Sequence, residues 1–175
     1  MSKKIINREF ITKEQQQILM DWFYECEPHL TPHPTWGDFR HSNALFNLKS
    51  NSLVTEIGER ILKEYGLKDF EHYEVRSLPC FLSRHIEGGF VQKHVDLFKD
   101  RNHFRFNLFL SVPDRGGMPI YDSEILNVKE RDIVAYEPDK FGHSSTPVEG
   151  SKPRITISWG WSFEKASKIS YENVK

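Results

Sequence analysis

The feature that most restricts the fold of this chain is a series of short apolar stretches that begins near residue 70. Each stretch is rich in aromatic and β-branched residues, and turn-forming residues separate it from the next. Many short strands at this spacing are typical of an antiparallel sandwich or barrel. The predicted strands cover residues 73–86, 89–95, 104–112, 118–126, 131–136, 143–148 and 153–163.

Two helices are predicted before these strands. Thr12 followed by Gln15 is a capping-box pattern, and apolar residues recur behind it at helical spacing. This pattern predicts a helix over 13–26. A second amphipathic segment predicts a helix over 52–65 that stops at Gly66, a favourable residue just beyond a helix end.

The segment between the two helices is rich in proline and histidine, and 28–42 is expected to be an irregular loop. No repeat or linker divides the chain, so we expect a single domain, 1–175. Within it, 1–70 would supply helical support and the Pro/His-rich loop, and 71–165 would form the β core.

Charge and cysteine content exclude several classes of protein. Lys and Arg number 24 against 25 Asp and Glu, a net charge of −1, which argues against a nucleic-acid binder. No apolar run approaches the roughly 20 residues that span a bilayer. The 2 cysteines, Cys26 and Cys80, are too few for a disulfide framework. We expect reduced thiols and a cytoplasmic protein.

A candidate metal-binding pair is formed by His94 and Asp96. Residues two apart on a strand point to the same side, so this imidazole and carboxylate can bind one ion. A solvated pair at the edge of a turn has the same pattern. With one more histidine, the pair would complete the facial triad typical of non-haem Fe(II) oxygenases, which leaves coordination positions open.

The last predicted strand is polar on one face and apolar on the other. If the polar face looks towards water, the strand is an ordinary half-exposed one. If it looks into a barrel, Arg154 is a buried cation that requires an anion, and Thr156 could join it in binding a dicarboxylate. The polar face carries Arg154, Thr156, Ser158 and Gly160, and the apolar face Ile155, Ile157, Trp159 and Trp161.

The strand predicted over 104–112 has the same two-sided character. Its even positions are apolar, while its odd positions include Arg105, Asn107 and Ser111. Two such strands side by side would line a polar pocket. An ordinary half-exposed sheet fits the pattern equally well.

Together these motifs resemble the double-stranded β-helix core of the Fe(II)/2-oxoglutarate-dependent dioxygenases, in particular the prolyl-4-hydroxylase-like branch. The resemblance runs from Leu82 to Trp161 and implies a mainly β, jelly-roll, cupin-like core packed against two helices. The matching motifs are a Gly-Gly-Phe turn, a His-x-Asp pair, a second Gly-Gly turn, a distal histidine and a later basic residue. In this chain they are Gly88-Gly89-Phe90, His94 and Asp96, Gly116-Gly117, His143 and Arg154.

The resemblance implies an activity and a set of site residues. His94, Asp96 and His143 would be the catalytic residues that bind Fe(II). Arg154, assisted by Thr156, would hold the distal carboxylate of 2-oxoglutarate. The implied reaction uses O₂ to hydroxylate an unactivated C–H bond and releases succinate and CO₂. Halogenases of this type replace the metal-binding carboxylate with a small residue, so Asp96 points to hydroxylation.

The chain also departs from the family pattern. Met118-Pro119 follows the second Gly-Gly turn where prolyl hydroxylases often have Glu-Thr. Phe109 occupies the region of a tyrosine that commonly helps to hold 2-oxoglutarate, and Asn107 or Arg105 is expected to supply that hydrogen bond. Both departures argue against proline as the substrate.

Substrate-binding residues are expected near the mouth of the core. The 28–42 loop is a candidate lid with Trp36 and Arg40 as its anchors, and Arg105 is a third candidate. Two cations favour a carboxylate-bearing small molecule. A small molecule, an amino acid or a peptidyl residue would fit, whereas nucleic acid and membrane are not expected as partners.

His72 and His103 are expected at the surface, and His85 in the pocket or the core.

A catalytically inactive β-helix that serves as a metal-binding or sensor module is the main alternative to an enzyme. A cupin-like Mn or Zn enzyme that does not use 2-oxoglutarate is the third, and Arg154 and Thr156 argue against it.

Overall fold

Two helices precede most of the β structure in the computed structural model, which describes residues 4–34, 37–74, 79–97 and 101–164. Helix α1 spans Lys13–Cys26, and the predicted capping box between Thr12 and Gln15 is formed. Helix α2 spans Ser52–Glu64, and the Asn51 side chain caps its first turn. The helix predictions are confirmed, because a local cap and an apolar stripe were both present in the sequence.

Most strands belong to one antiparallel sheet of eight strands, ordered β1-β10-β6-β13-β5-β3-β2, with β4 paired to β13. Strands β11-β8-β9 form a second sheet and β12-β7 a third. The bounds are β1 Ile5–Asn7, β2 Thr31–His33, β3 Gly37–Ala44, β4 His72–Tyr73, β5 Phe81–His85, β6 Arg101–Ser111, β7 Arg115–Gly116, β8 Pro119–Tyr121, β9 Glu124–Ile125, β10 Ile133–Tyr136, β11 His143–Ser145, β12 Val148–Glu149 and β13 Arg154–Glu164.

The two faces of the main sheet have different partners. Apolar side chains of β6, β10 and β13 pack with both helices in the larger core cluster. On the opposite face, Phe109 and Val134 belong to a second, smaller apolar cluster. Its other buried members are Tyr121, Leu126 and Val128. This two-layer jelly-roll with helices on one side is the predicted fold class. The even–odd alternation predicted for 104–112 therefore separates a helix-facing side from a side that faces the interior of the β-helix.

The structure corrects several sequence-based expectations. Residues 28–42 are not an irregular loop, because β2 and β3 form a hairpin whose second strand pairs with β5. Residues 89–95 contribute an isolated bridge at His94 instead of a strand. Three predicted strands are each divided in two. The 73–86 strand becomes β4 and β5, the 118–126 strand becomes β8 and β9, and the 143–148 strand becomes β11 and β12. His103 is fully buried and hydrogen-bonded to Ser162, not at the surface.

The first 70 residues also contribute strands to the main sheet. Strand β1 pairs with β10, and β3 pairs with β5. The prediction of one domain over 1–175 stays a prediction. Within the described part of the chain, no helix is both long and apolar enough to cross a membrane.

Candidate metal centre and cavity

The side chains of His94, Asp96 and His143 come together at one end of the β-helix. The two histidines lie opposite each other in an antiparallel bridge, with reciprocal backbone hydrogen bonds of 3.1 and 2.9 Å. Asp96 Oδ1 lies 3.4 Å from His94 Nε2 and 3.9 Å from His143 Nε2. One potential ligand atom from each residue lies within 4.8 Å of the others.

Backbone contacts orient this group. The Nδ1 atom of His94 lies 2.7 Å from the Gln92 carbonyl oxygen, which leaves Nε2 directed towards Asp96. The Asp96 backbone N–H donates to the Pro138 carbonyl at 2.9 Å. A ring nitrogen fixed by a carbonyl, with its other nitrogen aimed at a shared centre, is the usual arrangement of metal-binding histidine. Two imidazoles and one carboxylate fit Fe(II) with open positions.

The protonation states of His143 and Asp96 suit metal binding. Burial, together with the charge of His94, lowers the pKa of His143 to about 4, so its imidazole is neutral near pH 7. Burial would raise the pKa of Asp96, but the His94 hydrogen bond and the charges of His143 and Arg105 outweigh it and lower that pKa. The same hydrogen bond raises the pKa of His94.

A cavity of about 310 Å³ extends from these three residues into the β-helix. Adjacent strands β13, β5 and β3 line it with residues in register. Arg154, His85 and Arg40 occupy paired positions across the three strands. A second row consists of Thr156, Ser83 and Ser42. The polar face of the last strand therefore faces the cavity inside the β-helix and not the surrounding water.

Arg154 lines the cavity and is buried, with 6% of its surface exposed. Its Nη1 donates to the Gly117 carbonyl at 2.9 Å, and its Nη2 lies 3.1 Å from His85 Nε2. Burial, and then the charge of Arg40, lower the pKa of Arg154 to about 9. Among the described residues, no carboxylate lies within ion-pair distance of it. Such a buried cation calls for an anionic ligand.

All but one of the other predicted site residues line the same cavity. Thr156 shares a hydrogen bond of 2.9 Å with Ser83. Asn107 and Arg105 on β6 and Arg40 on β3 are lining residues. Trp36, the remaining predicted substrate residue, lies outside the described residues.

Tyr136 and His33 are among the lining residues that sequence reasoning missed. The Asn107 side-chain amide donates to the Tyr136 hydroxyl oxygen at 3.1 Å, so this hydroxyl is held inside the cavity. Tyr136 is the last residue of a strand whose other residues are apolar, which made it look like part of the core. Its position directly opposite Arg105 is set by pairing between β10 and β6, and that register was not available from the sequence.

The structure is similar to those of known oxygenases. It matches a prolyl-4-hydroxylase from Pseudomonas putida with a TM-score of 0.68 and 16% identity over 94% of each chain. HygX from Streptomyces hygroscopicus, with nickel, 2-oxoglutarate and hygromycin B bound, matches with a TM-score of 0.72 and 9% identity. That match covers 96% of this chain and 85% of HygX.

A third similar structure is SnoN, a non-heme alpha-ketoglutarate-dependent epimerase from nogalamycin biosynthesis. Its TM-score is 0.72 and its identity 12%, over 93% of this chain and 79% of SnoN. No protein-family model and no curated protein match the sequence. At these identities the structural similarity establishes the fold. The chain therefore has the double-stranded β-helix fold of the 2OG-Fe(II) oxygenases.

Proposed function

We propose that this protein is an Fe(II)- and 2-oxoglutarate-dependent dioxygenase that hydroxylates a C–H bond. The observation that carries the proposal is that His94, Asp96 and His143 share one cavity with a buried arginine, Arg154. These groups would provide a site for a metal with open positions and a site for a carboxylate. The substrate would be a small molecule, an amino acid or a peptidyl residue.

The three clustered side chains would hold Fe(II). Bound iron, with 2-oxoglutarate and O₂, supplies the oxidising power for C–H hydroxylation, and succinate and CO₂ are the co-products. Asp96 would contribute one negative charge to the metal site, and the neutral His143 imidazole would offer a lone pair without losing a proton. The backbone bridge between His94 and His143 holds both imidazoles in place before any ligand arrives.

Arg154 would bind the distal carboxylate of 2-oxoglutarate. Its guanidinium is already held by Gly117 and His85, so little side-chain entropy remains to be lost when the carboxylate binds. Thr156 and Asn107 would add hydrogen bonds, and the Tyr136 hydroxyl would provide the donor that Phe109 lacks. On the same face, Phe109 and Val134 add apolar surface to the cavity wall.

One residue of the candidate metal site, Asp96, bears on which reaction is catalysed. The fold also occurs in an epimerase, so fold alone does not choose the reaction. The retained carboxylate of Asp96 is the feature that favours hydroxylation over halogenation. An inactive metal-binding or sensor module would not need a buried Arg154. A cupin-like Mn or Zn enzyme that does not use 2-oxoglutarate would not need it either.

An anaerobic titration of the metal-free protein tests the proposal. Fe(II) is added first and 2-oxoglutarate second, while the visible spectrum is recorded. Chelation of the keto acid to iron gives a weak charge-transfer absorption that neither component shows alone. We expect this absorption in the wild-type protein and its loss in His94→Ala, because one of the metal ligands is removed.

His29→Ala is the matched control, because His29 is exposed and lies outside the cavity. It should leave the absorption unchanged. Iron binding without the absorption in wild type would contradict the proposal and would favour the sensor module or a metalloenzyme that does not use 2-oxoglutarate.

A further inference from the structure

His85 is a buried histidine of the cavity that the proposed function does not use as a hydrogen-bond donor. It is the last residue of β5, it lines the cavity, and only 1% of its surface is exposed. Its backbone pairs with Arg154 on β13 and with Arg40 on β3. A buried polar side chain in such a position requires a physical explanation.

The guanidinium of Arg154 lies over the face of the His85 ring. Arg154 Nη2 is 3.1 Å from Nε2 and 3.3 Å from Nδ1 of the imidazole. An atom that is almost equally distant from both ring nitrogens at this range lies above the ring, because in the ring plane it would collide with the carbon between them. Arginine stacks on ring faces in this way. The contact therefore leaves the edge of the imidazole, where its N–H group and its lone pair point, available to a ligand.

The N–H group on this edge lacks an acceptor. Burial, and then the charge of Arg154, lower the pKa of His85 well below the usual value for histidine. The imidazole is therefore neutral near pH 7 and carries one N–H group. Within the described part of the chain, Arg154 is the hydrogen-bonding neighbour of both ring nitrogens, and a guanidinium has no lone pair to accept this hydrogen. A buried donor without an acceptor is costly, so we expect a ligand to supply the acceptor.

A second buried donor next to His85 also lacks a partner. Arg154 Nε is buried and makes no hydrogen bond to the residues that the structure describes. Arg154 Nη1, in contrast, already donates to the Gly117 carbonyl. An ionised carboxylate offers two oxygens with about four acceptor positions. One carboxylate can therefore accept hydrogen bonds from Arg154 Nε and from the His85 N–H together.

We propose that His85 donates its imidazole N–H to the distal carboxylate of 2-oxoglutarate, next to the guanidinium of Arg154. This inference rests on the proposed function, which assigns Arg154 to that carboxylate. The face of the His85 ring supports the cation, and its edge binds the ligand. A lysine at this position would also be a donor, but its charge would repel Arg154. Neutral histidine adds the donor without that repulsion.

The NMR signals of the imidazole test the donor directly. The ¹⁵N-labelled, Zn(II)-loaded protein is titrated with 2-oxoglutarate at pH 7.5, and the His85 signals are identified by their absence in a His85 variant. We expect one protonated and one unprotonated ring nitrogen throughout the titration. The N–H proton should move downfield and saturate with the ligand, because it gains a charged acceptor. A ring that only supports the guanidinium with its face would not show this downfield movement.

Variants separate the donor from the stacking contact. His85→Phe keeps an aromatic face for Arg154 but removes the N–H, so 2-oxoglutarate should bind about tenfold more weakly or worse. His85→Asn and His85→Gln place an amide N–H near the positions of Nδ1 and Nε2. The variant that matches the donating nitrogen should recover part of the affinity. His72→Phe is the control, because His72 packs on Trp161 and Phe163 outside the cavity.

Calorimetric titration of the Zn(II)-loaded variants with 2-oxoglutarate measures these affinities. Zn(II) affinity should stay unchanged, because His85 is not one of the three clustered ligands. Equal affinity for 2-oxoglutarate in wild type and His85→Phe, or an N–H proton that the ligand does not move, would overturn this inference and leave the proposed function intact. Failure of the wild-type protein to bind 2-oxoglutarate would instead contradict the proposed function. Titration of the metal-free protein with glutarate, which lacks the keto group, would then decide whether the His85 N–H binds a carboxylate beside Arg154.

Discussion

Arg154 is the single residue whose burial most restricts what the cavity can bind. A guanidinium stays charged under nearly all conditions, and burying it is costly unless an anion compensates. Its described partners, Gly117 and His85, are a carbonyl and a neutral imidazole. These contacts orient the cation without neutralising it, so they leave its charge for a ligand.

Replacing Arg154 therefore tests the 2-oxoglutarate site at the scale of one residue. In Arg154→Gln, a charge-assisted pair of hydrogen bonds is lost, and we expect 2-oxoglutarate to bind about 100-fold more weakly. Calorimetric titration of the Zn(II)-loaded protein measures this change. Zn(II) affinity should be unaffected, because Arg154 is not one of the three clustered ligands.

Arg115→Gln is the matched control, since Arg115 is exposed at the surface and also belongs to a strand near the second Gly-Gly turn. Equal affinity for 2-oxoglutarate in wild type and Arg154→Gln would remove the arginine from the proposed mechanism.

Site residues differ in how well their sequence context predicts them. His94 and Asp96 are two apart, and Arg154 belongs to an alternating strand, so local spacing made them candidates and the resemblance to a family then selected them. Tyr136 carries no such local signal, because its place in the cavity depends on the β10–β6 register and on a hydrogen bond from Asn107. Contacts between strands that are distant in sequence determine such positions, and these contacts cannot be predicted from local patterns in a single sequence.

Among the elements, the β2–β3 hairpin shows the same limit. Strand β3 is mostly polar and lacks the apolar alternation by which strands are recognised. It forms because β5 offers an unpaired edge, with Arg40 opposite His85 and Ala44 opposite Phe81. Helices α1 and α2, in contrast, have their caps and apolar stripes within a few residues, and both were predicted to within a residue or two.

Helix α2 packs against β13 through a residue without a side chain. A Cβ atom at Gly58 would lie 3.0 Å from Trp159 Nε1, which is tighter than about nine in ten Cβ contacts in proteins. We expect Gly58→Val to lower the free energy of unfolding by about 1–3 kcal/mol, because the helix must move away from the sheet. Urea denaturation followed by tryptophan fluorescence measures the change.

Glu59→Val introduces the same side chain at the next, exposed position of α2 and controls for helix propensity. Its effect on unfolding should be within about 0.5–1 kcal/mol. Similar losses in the two variants would show that packing against Trp159 is not what requires glycine at residue 58.

At the scale of the whole molecule, one face of the main sheet contributes mainly to stability, and the other face lines the candidate binding cavity. One face is covered by helices and forms the larger apolar core. The other holds a cavity in which charged and titratable groups are buried. Histidines are buried on this interior side, and burial lowers the pKa of both His85 and His103. Folding therefore keeps several imidazoles neutral that would be protonated in the unfolded chain at mildly acidic pH.

This arrangement predicts a loss of stability in acid, and His103 allows its sign and size to be tested. Burial, with the charge of Arg105, lowers the pKa of His103 to about 3, against 6.5 for an unperturbed histidine. Between these values the unfolded state binds a proton that the folded state does not. The free energy of unfolding thus decreases as the pH falls below about 6.5, by about 1.4 kcal/mol per pH unit for this residue.

Urea denaturation of the metal-free protein from pH 7.5 to 5 measures that slope. His103→Gln should be less stable at pH 7.5, because the hydrogen bond to Ser162 is weakened. Its stability should also fall less steeply with acid, by about 2 kcal/mol over the range from pH 6.5 to 5. His29→Gln, at an exposed position, should retain the wild-type slope. Parallel curves for wild type and His103→Gln would mean that His103 takes up its proton equally in the folded and unfolded states, contrary to its burial.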